Sequence, residues 1–186
     1  TTNDPVLAEK MQLLRSHGIT RDANLMTHEP DGGWYYQQID LGFNYRMTEL
    51  QGALGVSQMN YLDDIVTRRH QLGKRYDELL TDLPIILPYR NPANYSGFHL
   101  YPIQLTADSG KTRKQVFDSL RAQNIGVNVH YIPVHTQPYY AKLGFKQGDF
   151  PHAERYYAQA ISLPLYYDLS EASQAQVVNA IYQALA

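Results

Sequence analysis

The 186 residues include no cysteine, which excludes disulfides and thiolate metal sites and allows a reducing compartment. No apolar run approaches the roughly 20 residues that a bilayer-spanning helix needs, and no signal-peptide pattern opens the chain, as expected of a cytoplasmic protein. Neither sign of charge dominates: 16 Lys and Arg face 18 Asp and Glu, a formal net charge of -2. That balance argues against a general role on nucleic acid or at a membrane. G-x-S-x-G, a Walker loop and G-x-G-x-x-G are all missing, so serine hydrolases, P-loop NTPases and Rossmann dehydrogenases have no support. An initiator Met is missing too. "TTNDPVLAEKMQLLRSHG" reads as a polar turn running into an amphipathic helix, and the expectation is a piece of a longer chain.

Phenylalanine and tryptophan are scarce, five and one, against 16 tyrosines. A tyrosine ring packs while its hydroxyl hydrogen-bonds, so the excess suits contact surfaces or a polar ligand cleft. Asp4 and Pro5 open a first helix that Gly18 should stop, with Leu7, Met11 and Leu14 at helical spacing. Residues 19–40 form a long loop with a P-D-G-G turn, then a short extended piece with Trp34 and Tyr36 on one side and Tyr35 and Gln37 on the other. A helical pattern runs from Thr48 to Leu79, with a break expected near Asn60. Strands are expected at 84–89, 97–105 and 126–132, with Pro102 marking an edge or a bulge. Helices are expected at 112–123, at 151–160 and from Ser170 onward. The fold class is α/β: long helices with a small antiparallel or mixed sheet packed against helices.

"LGFNYRMTELQGALG" holds the most chemistry. Thr48 and Gln51 form a T-x-x-Q capping box, and Asn44, Tyr45 and Arg46 stand just before it. A helix start has unpaired N–H groups and the positive end of the dipole, and Asn44 and Arg46 are donors to phosphate oxygens, so an anion site is one reading. A polar loop with Arg46 paired to a surface carboxylate is the other. In "VHYIPVHTQPYY" the prolines stiffen a loop from which His135 and Tyr139 or Tyr140 project, a substrate wall or a plain surface turn. His130 and His135 have no third ligand at a familiar interval, so no metal site is expected.

Three separated stretches, "LGFNYRMTELQGALGVSQMNYLDDIVTRRHQLGKRYDELL", "VNVHYIPVHTQPYY" and "ISLPLYYDLSEASQAQVVNAI", resemble in order and spacing the C-terminal half of the DegT/DnrJ/EryC1/StrS family of pyridoxal-phosphate sugar aminotransferases. "SHGITRD" with "MTHEPDGGWYYQQIDLGFNYRM" is similar to the branch of that family that acts in pseudaminic acid synthesis, the UDP-4-amino-4,6-dideoxy-N-acetyl-β-L-altrosamine transaminases. The resemblance implies the C-terminal part of a fold-type I transferase, with residues 1–60 the end of the large cofactor domain and 61–186 a linker helix and the small domain. It implies that Asn44 reaches across a homodimer with shared active sites to the phosphate of the neighbour's pyridoxal phosphate, with Tyr45 and Arg46 in the same cleft. Trp34 and Tyr35, and His135, Tyr139 and Tyr140, would face the nucleotide-sugar.

In such a family the lysine that carries the cofactor lies upstream of the segment matched by "TTNDP". The six lysines present, at 10, 74, 111, 114, 142 and 146, lack the family motif. The implied activity is therefore that of an intact enzyme moving an amino group from glutamate to a 4-keto sugar on UDP, with this chain alone inactive. The alternatives are a family member acting on another keto sugar, a dehydratase with histidine in place of the lysine, or a non-catalytic dimerisation or sugar-nucleotide-binding module.

Overall fold

In the computed structural model, which describes residues 1–186, contacts divide the chain into two units, Thr1–Asn60 and Tyr61–Ala186. In the first unit the Asp4 carboxylate accepts from the N–H groups of Val6 and Leu7 at 2.9 and 3.3 Å, so α1 (Pro5–Leu14) starts with its proline where no donor is lost. It ends a few residues before Gly18, because His17 and Gly18 both turn left-handed (φ 64° and 70°) and the Gly18 N–H reaches back to Leu13 O at 3.0 Å. A side chain at Gly18 would also run into the Asp40 carbonyl. Within 19–40, β1 (Ile19–Thr20) pairs antiparallel with β2 (Gln37–Gln38), Ile19 opposite Gln38. Trp34 and Tyr36 are exposed while Gln37 is buried, the alternation that the sequence predicts. The unit closes with α2 (Glu49–Met59), whose capping box is formed on both sides: Gln51 N–H donates to Thr48 Oγ1 and Thr48 N–H to Gln51 Oε1.

The second unit begins with α3 (Leu62–Leu80), so the predicted break falls at Asn60 and Tyr61. Leu72, Tyr76 and Leu80 recur at i, i+4, i+8 and are buried to 1% exposure or less, one apolar stripe turned to the core. The sheet has the order β3 (Ile85–Ile86), β4 (Tyr101–Leu105), β5 (Ala160–Leu163), antiparallel throughout. Around it lie α4 (Arg113–Ala122), a one-turn α5 (Pro138–Ala141), α6 (Pro151–Gln159) and α7 (Glu171–Leu185). Tyr101, Ile103 and Ile161 of the sheet meet Leu72 and Tyr76 of α3, Val116 and Leu120 of α4, and Val177 and Ile181 of α7 in one core. Burial alone would cost the two tyrosine hydroxyls, and each has a partner: Tyr76 donates to Pro164 O at 3.0 Å and Tyr101 to Asp77 Oδ1 at 2.6 Å. The buried Gln174 side chain ties α7 to α3, donating to Leu72 O at 2.7 Å and accepting from Arg75 at 2.8 Å.

All three strand expectations change, the one at 84–89 shortening to Ile85–Ile86. Residues 126–132 are not a strand: Asn128 makes a single bridge to Ser162, and its side chain accepts the Val129 N–H at 2.8 Å, a local bond that competes with a ladder. The strand beside β4 is instead β5, which follows α6 directly and shortens the helix expected at 151–160 by one residue. The 97–105 strand starts only at Tyr101, since Phe98 lies at φ 46°. Pro102 sits in the middle strand, opposite Ser162, yet β3 reaches only Gln104 and Leu105, so beside Pro102 one flank of β4 has no strand and no donor is missed there.

Candidate functional site

Residues 43–45 lie along the end of α1. Phe43 N–H donates to Leu14 O at 2.6 Å, His17 N–H to Phe43 O at 2.8 Å and Tyr45 N–H to Arg15 O at 2.9 Å, while Asn44 bridges Ser16. The backbone is thus fixed by main-chain bonds and the side chains are free to serve elsewhere. Asn44 Oδ1 accepts a long bond, 3.4 Å, from Arg46 Nε, and neither the Asn44 amide nitrogen nor the outer guanidinium nitrogens of Arg46 bond within the chain. Arg46 pairs with no carboxylate, which removes the surface-ion-pair reading. The capping box satisfies Thr48 and Gln51, leaving the Glu49 and Leu50 N–H groups of the first turn open. Tyr45 stacks on Phe43 at 5.0 Å and is 76% exposed. The Asn44 amide N–H groups, the outer guanidinium nitrogens of Arg46 and two helix-start N–H groups, none with a partner in the chain, are a donor set that fits a phosphate.

Nearby Asp40 is spoken for. The Lys10 ammonium bonds to its carboxylate and the Leu41 N–H adds a second donor at 2.8 Å, so its pKa lies below the ordinary range, with the Lys10 hydrogen bond the larger cause. In the loop before it, Gln37 does what the sequence did not suggest. Its Oε1 accepts from Thr27 N and Oγ1 at 2.8 and 3.0 Å and its Nε2 donates to His28 O at 3.1 Å, closing the loop on itself. The Tyr35 hydroxyl lies 2.7 Å from His28 Nε2, and Trp34, folded over Gly32, remains 73% exposed.

In the second unit an open cavity of about 380 Å³ is lined by Pro133, Val134, His135, Tyr140, Phe145 and Phe150. His135 does not project into solvent. It is 7% exposed, its ring packs 4.8 Å from Phe150, and its Nε2 lies 2.7 Å from Glu154 Oε1. Tyr139 is 68% exposed and meets Tyr140 edge to face at 5.4 Å. Glu154, which the sequence did not single out, also accepts the Gly148 N–H at 2.7 Å, and these bonds, His135 first, hold its carboxyl below the ordinary range. His130 is turned elsewhere, with Nδ1 2.8 Å from Ser162 Oγ. All six lysines are exposed; Lys10, Lys74 and Lys114 pair with Asp40, Glu78 and Asp118.

One family matches residues 1–182, almost the whole chain. The chain belongs to the DegT/DnrJ/EryC1/StrS aminotransferase family. Pyridoxal phosphate is the cofactor that this membership indicates. Among relatives, an uncharacterized Methanocaldococcus jannaschii protein is 39% identical over 184 residues and the Bacillus subtilis spore coat polysaccharide biosynthesis protein SpsC 37% over 185, each match covering 97% of this chain and 47% of the relative. A Helicobacter pylori UDP-4-amino-4,6-dideoxy-N-acetyl-β-L-altrosamine transaminase is 30% identical over 182 residues, covering 97% of this chain and 46% of the relative. The solved structure of Helicobacter pylori PseC, an aminotransferase involved in the biosynthesis of pseudoaminic acid, superposes with a TM-score of 0.84 at 29% identity, covering 99% of this chain and 47% of that one. The chain thus spans about half the length of the curated relatives it matches.

Proposed function

We propose that the chain works as the phosphate-holding and sugar-facing half of a nucleotide-sugar aminotransferase, one that moves an amino group from glutamate to a 4-keto-6-deoxy sugar carried on UDP. The observation that carries this reading is the unspent donor set of Asn44, Arg46 and the α2 start in a chain of an aminotransferase family. Asn44 and Arg46 hold the cofactor phosphate, and Tyr45 lines the same cleft. Pyridoxal phosphate, when bound, supplies the electron sink for the exchange of the amino group. Within the second unit, the loop of His135, Tyr139 and Tyr140 faces the nucleotide-sugar. Residues 1–60 would belong to the large cofactor domain and 61–186 to a linker helix and the small domain, in a cytoplasmic enzyme.

Two copies would share their sites, with Asn44 of one serving the phosphate of the other. In support, α2 buries none of its residues, and Leu50, Leu54, Val56 and Met59 stand 62–85% exposed, an apolar surface of the kind that partner contacts cover. The test is glutamate-dependent amination of a panel of UDP-4-keto-6-deoxy sugars by the enzyme that carries this chain, with pyridoxal phosphate supplied. Amination of one member supports the reading, and the preferred sugar separates the pseudaminic branch from relatives such as SpsC. Phosphate binding without amination of any member would favour a non-catalytic sugar-nucleotide-binding module.

A further inference from the structure

Resting on the reading that His135, Tyr139 and Tyr140 face the nucleotide-sugar, we propose that Glu154 is the positioning residue of that wall, a clasp that holds both ends of the segment 135–148 at one carboxylate oxygen. Oε1 lies 2.7 Å from His135 Nε2 and accepts the Gly148 N–H at 2.7 Å. Between these ends the segment makes one aromatic contact outward, Phe145 with its ring centre 6.2 Å from that of Phe150. Residues 138–150 are all exposed, and α5 is a single turn. The bonds internal to it, such as Leu143 N–H to Tyr140 O at 2.9 Å and Gly144 N–H to Ala141 O at 3.1 Å, shape the turn without anchoring it.

Glu154 itself is well placed to anchor. It sits in the first turn of α6, where the helix dipole favours a carboxylate, and its own N–H is tied to Phe150 O at 3.1 Å. Because both donors converge on one oxygen, a displacement of either strand of the loop lengthens a bond that also sets the other. His135 is therefore held with its ring against Phe150 and turned into the cavity wall, and Tyr139 and Tyr140 are carried at a fixed offset from it. The carboxylate touches no reacting group. It acts through the segment it holds.

Two measurements on Glu154→Ala and Glu154→Gln separate this from a merely structural carboxylate. Glutamine keeps an oxygen acceptor at the same reach, alanine keeps none. In hydrogen exchange, Glu154→Ala should expose the Gly148 amide and its neighbours while the core helices stay protected, and Glu154→Gln should remain near the parent. In the assembled holoenzyme, Glu154→Ala should raise KM for the UDP-sugar about tenfold, with kcat moved by much less, since one charge-assisted bond at each loop end is lost from the binding surface. Unchanged exchange at Gly148 would overturn the clasp. Raised exchange with an unchanged KM would overturn the positioning role, and so would equal KM effects of alanine and glutamine. A parent enzyme that shows the protected Gly148 amide yet takes no UDP-sugar would overturn the functional reading, and the positioning role with it, while the clasp itself stood.

Discussion

Replacing Asn44 with alanine tests the phosphate assignment with little risk to the fold. The side chain makes one long bond, to Arg46 Nε at 3.4 Å, and is exposed. The segment is held by its main chain, through Phe43 N–H on Leu14 O, His17 N–H on Phe43 O and Tyr45 N–H on Arg15 O, none of which the substitution touches. Stability should therefore move by no more than about 0.5 kcal/mol. Binding should move further. Losing one hydrogen bond to a charged phosphate costs about 1.5–3 kcal/mol, which weakens the dissociation constant by roughly 10- to 150-fold. Asn44→Asp keeps the shape but turns the donor into a second negative charge, so its loss should exceed that of alanine. The assay is a titration of the apoenzyme with pyridoxal phosphate, followed by its absorbance, beside a denaturant melt of each variant. An alanine variant that binds the cofactor as the parent does, with the same melt, would refute the reasoning: it would mean that the free amide at Asn44 faces no phosphate.

Gly73→Ala would place a methyl against Phe98 Cε1 and Arg90 Nη2, a clash that outweighs the gain in helix propensity; a net loss of about 1–2 kcal/mol in urea melts is expected, and an unchanged midpoint would show that Phe98 can move aside. Ser170→Ala removes the acceptor for the Ser173 N–H, 3.1 Å away, and should cost about 1 kcal/mol of stability with turnover unchanged; a drop in turnover at constant stability would show that Ser170 does more than cap α7. The Glu154 carboxyl is depressed in the folded chain from an ordinary value of 4.5, so its contribution is complete above that pH and fades as pH falls through the lower folded value; Gly148 exchange should rise, relative to Glu154→Gln, only below about pH 4.5. Mixed with pyridoxal phosphate and glutamate, this chain should not transaminate, because its lysines are exposed and three are paired to carboxylates; stoichiometric borohydride labelling of one lysine together with turnover would contradict this.

What the sequence made legible is local. Asp4, Thr48, Thr112 and Ser170 each bond to backbone within three residues of themselves, so their caps could be read without knowing the fold. The apolar stripe of α3 is legible for the same reason, since its period belongs to the helix. The strand β5 was not legible: "AISL" follows α6 with no turn residue, and all four positions are buried, so there is no alternation to find. "GVNVHYI" had the alternation and is not a strand, because Asn128 spends its side chain on the next N–H. Gln174 and Gln37 look like surface residues in sequence and are buried, each matched by partners that only the folded chain brings to them.

The same division runs through the candidate site. Donors could be recognised in the sequence by residue type, but whether a donor is still available depends on what the fold has already paired it with. Asn44 and Arg46 come through with nitrogens unspent, which is why they can be assigned to a ligand. Tyr35 comes through with its hydroxyl already 2.7 Å from His28, so a sugar contact there would have to exchange for that bond and gain little by it. His135 is committed more deeply: its partner Glu154 lies nineteen residues on in another element, beyond the reach of any local pattern, and the same oxygen holds Gly148. Of its two ring nitrogens only Nδ1 is left for a ligand. Tyr139, 68% exposed and without a hydrogen-bond partner for its hydroxyl, is then the polar group of that loop with the most to offer a nucleotide-sugar, and His135 serves it better as a fixed support than as a contact.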